Sequence, residues 1–155
     1  MTLSKPRILP FMLLPLAALL GFYAPTFFKA AQTTVNEQPS LSELPTDLSQ
    51  YCVLSTQVCQ QNNVSISMDS DIAKPLAETK IQIDWPKNSS KALTLTLQGL
   101  EMDLGIVKFS VPKTQDGDFR GSIILPVCTF AKMTWIGTLT DEQGQQIYTS
   151  IRMEK

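Results

Sequence analysis

Histidine is absent from all 155 residues of the chain. That absence removes Ser–His and Cys–His nucleophilic pairs, zinc ligand sets that include imidazole, and haem held by a proximal histidine. General acid–base work near neutral pH falls to carboxylates or cysteines with shifted pKa values. Cysteine is scarce too, at 3 residues, and no two of them form a Cys-x-x-Cys pair. Thioredoxin-type redox chemistry is therefore not expected. Nucleotide-binding fingerprints, glycine-rich phosphate loops and metalloprotease helices are missing. Excess positive charge is missing as well. Lys5, Arg7 and Lys29 account for three of the 13 basic residues, so against 14 carboxylates the rest of the chain is acidic. An acidic domain lacks the basic face that nucleic acid or anionic lipid requires. The expectation is a protein that is not an enzyme and does not bind nucleic acid.

What is present begins with an uncharged apolar run from Ile8 to Phe28. A helix needs about 20 such residues to cross a hydrocarbon core. Pro10, Pro15 and Pro25 would break a soluble helix but are tolerated in a membrane span. Lys5 and Arg7 precede the run and Lys29 follows it, which places the N-terminus in the cytoplasm. A cleaved signal peptide has a similar outline, but this run is long for one and ends in bulky aromatics. The expected organisation is a transmembrane anchor over residues 1–29 and a polar tether over 30–50. An extracytoplasmic domain follows over 51–155. The tether is rich in Ser, Thr, Gln and Pro; a short helix over Leu41–Leu48, capped by Ser40, is its alternative.

From Tyr51 onward the hydrophobic pattern has period two. Val64, Ile66 and Met68 alternate with Ser65 and Ser67, and Ile81, Ile83 and Trp85 with Gln82 and Asp84. Leu93–Leu97, Val107–Val111, Phe119–Leu125, Met133–Leu139 and Ile147–Ile151 repeat the pattern. No stripe of period 3.6 appears in this part of the chain. Turn chemistry separates the runs at Pro86–Ser90, Thr114–Gly117 and Asp141–Gly144. Seven such runs predict an all-β fold, a seven-stranded immunoglobulin-like antiparallel sandwich preceded by a single N-terminal transmembrane helix. Trp85 and Trp135 are expected in the core or at its rim, and Met68, Met133 and Met153 on the inward phase.

Three features remain once the core is assigned. Cys52 and Cys59 precede the first clear strand, Cys128 closes the run Leu-Pro-Val-Cys at the end of another, and Gly99–Gly105 joins two strands. Three cysteines outside the cytoplasm allow one internal disulfide and one thiol. All three pairings are open on spacing. Cys52 and Cys59 are the expected pair, provided a short hairpin brings their Cα atoms within about 7 Å. A soft-metal site is the sharper reading, because Cu(I) takes thiolate and thioether ligands and needs no imidazole. Cys128, Met102 and Met133 are the candidate ligands, if the loop holding Met102 lies beside Cys128. Glu101 and Asp103 read as solvated loop charges rather than an acid–base pair.

The segments GLEMDLG (Gly99–Gly105), FRGSIILP (Phe119–Pro126) and MTWIGTLTD (Met133–Asp141) resemble the YtkA/FixH-like family of small membrane-anchored, immunoglobulin-like domains of bacterial envelopes. The likeness runs from about Ile81 to Met153, on short motifs. Leu100 and Leu104 stand where some members carry methionine, so only Met102 maps onto the family's turn. The cysteine trio is not a general feature of the group. The resemblance implies an accessory or assembly protein of the bacterial inner membrane, single-pass, with its C-terminal domain in the periplasm. It further implies a protein partner in the envelope and a link to copper handling or haem–copper oxidase assembly. It supplies no catalytic residue.

Overall fold

The computed structural model describes residues 44, 45 and 47–155. The expected anchor lies outside the described residues, as does most of the tether and its alternative helix. The tether's described end forms a 3-10 turn at Leu48–Gln50, capped by the Asp47 side chain. Among the described residues no helix is long and apolar enough to cross a membrane.

Each of the seven alternating runs is a strand, and two short strands precede them. In chain order they are β1 (Cys52–Leu54), β2 (Cys59–Gln61), β3 (Val64–Met68), β4 (Glu78–Asp84), β5 (Ala92–Gly99), β6 (Ile106–Pro112), β7 (Phe119–Ile124), β8 (Lys132–Thr140) and β9 (Gln146–Glu154). β4 shows the cause most plainly. Thr79, Ile81 and Ile83 are buried while Glu78, Lys80, Gln82 and Asp84 are exposed. Successive side chains on a strand point to opposite faces, so the alternation selects the face that meets the core.

The strands form two sheets, ordered β1-β9-β8-β5-β6 and β2-β3-β4-β7. The expectation of seven antiparallel strands is corrected in two respects: the described residues form nine, and β1 pairs with β9 in parallel. β1 and β2 have three residues each, too few for a period-two pattern to stand out. A parallel pair needs a long crossover; here nearly the whole domain separates its two members.

The facing surfaces bury Leu54, Ile66, Ile83, Leu95, Leu97, Phe119, Ile123, Trp135, Leu139 and Ile151. Each such side chain contributes about 1.5–3 kcal/mol on leaving water. Trp135 lies in the core, with Met68, Met133 and Met153 also buried, and Trp85 lies at its rim. Gly137 permits the close approach of β8 and β5, because a Cβ there would overlap the Thr96 carbonyl oxygen.

One end of the sandwich is polar and pinned. Asn88 Nδ2 donates to Asp141 Oδ2 at 3.0 Å, and Asp141 Oδ1 accepts from the backbone N–H groups of Gln143 and Gln145 at 2.9 and 2.8 Å. Ser90, fully buried, gives its hydroxyl to Gln143 at 3.1 Å and accepts from the Glu142 N–H at 3.1 Å. These bonds fasten the β4–β5 connection to the β8–β9 hairpin. They also occupy the Asn88 amide of the Asn88-Ser89-Ser90 sequence. The other end carries the β1–β2, β3–β4, β5–β6 and β7–β8 connections and the C-terminus.

Candidate functional site

At this second end the chain departs from alternation and chemistry-bearing residues collect. The β5–β6 connection, residues 100–105, is pinned by its own acids. Glu101 Oε2 accepts from the Thr134 N–H at 2.7 Å, and Asp103 Oδ1 accepts from the Gly105 N–H at 2.8 Å. Gly105 has a φ of 76°, a left-handed conformation that favours glycine. The Leu100 N–H donates to the Thr134 carbonyl at 2.9 Å, so the loop is tied to the start of β8. The two carboxylates expected to be solvated loop charges are exposed in the loop and also serve as backbone acceptors that shape it.

The β7–β8 connection, residues 125–131, is held as firmly. The Leu76 N–H donates to the Leu125 carbonyl at 2.9 Å, and the Lys155 N–H to the Ala131 carbonyl at 3.0 Å. Lys155 Nζ donates to the Thr129 carbonyl at 3.3 Å. The sequence placed Cys128 at the end of a strand. The structure places it in this loop, beyond the end of β7 at Ile124. Pro126 has no N–H to give a ladder, which stops the strand before the cysteine.

The three candidate sulfur ligands occupy one region but differ in access. Cys128 is 5% exposed, and its thiol donates to the Phe130 carbonyl at 3.3 Å. Met133 is 2% exposed and sits in the core cluster. Met102 is half-buried and packs against that cluster. Gly99 explains how two of them meet: Met133 Cε and the Met102 carbonyl fill the space where a side chain would stand. The Thr129 hydroxyl reaches the Met102 sulfur at 4.0 Å, bringing the Met102 turn against the loop that carries Cys128. Met153, opposite Met133 in the β8–β9 pair, adds a further buried sulfur at this end. Among the described residues no group of three or more cysteine, aspartate or glutamate side chains converges as a metal site.

Cys52 and Cys59 form the disulfide, with Cα atoms 5.8 Å apart, and Cys128 is the free thiol. The bridge joins the edge strand of one sheet to the edge strand of the other. The opposite flank is closed without a covalent bond. There the Lys113–Phe119 bridge joins the β6 and β7 sides, and Val111 packs over Gly121.

The loops at this end also present apolar side chains to solvent. Leu76 is 69% exposed, Val127 53%, Phe130 47% and Leu100 44%. Sequence reasoning did not read these four as an exposed apolar surface. Their signal was present, since Val127 and Phe130 continue an apolar run past the proline that ends a strand. The class this geometry defines is a two-sheet, all-β sandwich with one edge disulfide and an apolar loop end. No family model, curated protein or solved structure matches the chain.

Proposed function

We propose that this chain is a non-catalytic accessory module of the bacterial envelope. Its immunoglobulin-like sandwich engages a protein partner through the apolar loop end. The supporting observation is the set of four exposed apolar side chains, Leu76, Leu100, Val127 and Phe130, on loops pinned by backbone hydrogen bonds. Grouped exposed apolar side chains mark interaction surfaces, and an aromatic among them is a usual energetic anchor. Rigid loops lose little conformational freedom on binding. The immunoglobulin-like assignment rests on the long strands, three (β3, β4, β7) facing four (β6, β5, β8, β9). The Ile8–Phe28 run is the anchor in this reading, with a cytoplasmic N-terminus and a periplasmic domain.

The test is photo-crosslinking in intact membranes from positions 100 and 130, with Leu100→Glu and Phe130→Glu as comparison chains. A discrete protein adduct at both positions, lost in the Glu chains while their melting temperatures hold, is expected. No adduct, or adducts unaffected by the charges, overturns the reading.

A second reading, Cu(I) handling, is favoured by one contact: the Thr129 hydroxyl on the Met102 sulfur beside the Cys128 loop. In it Cys128 and Met102 are the ligands at the loop surface and Met133 the ligand beneath. Thiolate and thioether are the donors Cu(I) prefers. Because Cys128 is buried, the β7–β8 loop opens to admit the ion. Titration of the chain with Cu(I), with Cys128→Ser as the control, decides it: a single site lost in the variant supports copper, and no site removes it.

A further inference from the structure

The disulfide joins the edge strands of the two sheets on one flank of the sandwich, and its two sulfurs are placed unequally. Cys52 is 3% exposed and belongs to the core cluster, whereas Cys59 is half-buried, packs against that cluster and lines an open groove. That groove, of about 500 Å³, is walled by Tyr51, Val53, Val58, Asp71 and Arg152. Val58, the residue before Cys59, is 60% exposed, and Val53 is 46% exposed. Asp71 holds the floor of the β1–β2 connection, accepting from Thr56 Oγ1 at 2.6 Å and from the Thr56 N–H at 2.9 Å. Arg152 and Asp71 put one charge of each sign in the same groove.

The elements that the bond joins are the slightest in the fold. β2 has no sheet partner except β3, through Cys59–Ile66, Gln60–Ser65 and Gln61–Val64. Beneath it, β3 is paired over four positions to β4 and anchored by buried Val64, Ile66 and Met68. Detaching β2 would therefore uncover an ordered strand edge whose N–H and C=O groups stand ready to pair with another strand.

We propose that the Cys52–Cys59 disulfide is a substrate for thiol–disulfide exchange, attacked at Cys59 by a protein dithiol seated in this groove, and that its reduction frees the β3 edge. The partner's thiolate bonds to Cys59 Sγ as the Cys52–Cys59 bond breaks. The electron pair leaves on Cys52, which takes a proton. The partner's second thiolate then attacks its own sulfur in the mixed disulfide and releases Cys59, which is protonated in turn. Two electrons and two protons pass from the partner, left as a disulfide, to this chain. Cys128, buried in another loop, takes no part. Access decides which sulfur is attacked in such exchanges, and here access is one-sided. The exposed valines beside Cys59 suit a protein surface rather than a small polar thiol. This inference is independent of the loop-end reading.

The test uses the full chain in detergent micelles. In a Cys128→Ser background, Cys52→Ser leaves only the Cys59 thiol and Cys59→Ser leaves only the Cys52 thiol. The first should react with an aromatic disulfide reagent about tenfold or more faster than the second. Equal or reversed rates overturn the proposed point of attack. The unsubstituted chain is then treated, without denaturant, with reduced thioredoxin as the protein dithiol or with dithiothreitol at equal thiol concentration. Thioredoxin should be the faster, Cys52 and Cys59 should become alkylatable while Cys128 does not, and amide exchange should rise over Gln60–Ile66 with β5, β8 and β9 unchanged. A bridge reduced only in denaturant, an advantage for dithiothreitol, or unchanged exchange over Gln60–Ile66 each overturns the proposal.

Discussion

Removing the disulfide by the double substitution Cys52→Ala/Cys59→Ala tests what the flank bond contributes to the fold. The bridge closes a loop of sequence separation 7. In the chain-entropy treatment, a loop that short restricts the unfolded chain by about 2.4 kcal/mol at 25 °C. Truncating Cys52, which is 3% exposed, removes some core packing as well. Truncating half-buried Cys59 removes little. The expected loss is about 2–3 kcal/mol. A domain of this size unfolds with an entropy near 0.2 kcal/mol per degree, so the melting temperature should fall by roughly 10 °C. Fluorescence-monitored urea and thermal unfolding suits the assay, because both tryptophans, Trp85 and Trp135, lie in the sandwich and report on it alone. The substituted chain should still unfold cooperatively from a folded baseline, since the core is built mainly by the seven longer strands. A loss below about 0.5 kcal/mol would refute the loop-closure account. Outright failure to fold would refute the claim that the longer strands hold the core without the clip.

At the polar end, Asp141→Ala leaves the Gln143 and Gln145 N–H groups and the Asn88 amide without their acceptor, and should cost about 2–4 kcal/mol in urea unfolding. A loss no greater than that of an exposed-site control such as Asp116→Ala would refute a structural role for the network. Gly137→Ala should cost about 3 kcal/mol or more, since the methyl group meets backbone rather than a movable side chain; wild-type stability would show that β5 and β8 do not lie this close. The Thr56 hydrogen bonds, its hydroxyl first and its N–H second, hold the Asp71 carboxyl below its ordinary value of 3.8. A lowered folded-state pKa stabilises the fold fully above the unfolded value and is lost as pH falls through the folded one. The Thr56 amide resonance should therefore titrate with a midpoint below pH 3.8, and a midpoint above that value would refute the contact.

Much of this molecule is legible one strand at a time. Alternation over Glu78–Asp84 or Ala92–Gly99 is local, and the burial it dictates appears residue by residue. β1 and β2 escaped that reading because three residues carry too little period, and the partner of β1 lies at the far end of the chain. Asn88 and Asp141 looked like unrelated turn residues, because nothing local joins positions 53 apart. The same holds for Glu101, whose acceptor role depends on Thr134.

The sequence by itself determined the fold class, the face each long strand turns inward, and the exclusion of imidazole chemistry. It also narrowed the cysteines to three pairings. Only the tertiary structure decided among those, setting Cys52 and Cys59 across the seam between two sheets and burying Cys128 in a loop. It also brought Met102, Met133 and Met153 to the end where the exposed leucines, valine and phenylalanine stand. The reason is physical: strand faces follow from neighbours two residues apart, whereas strand order, seams and ends follow from contacts between segments distant in the chain.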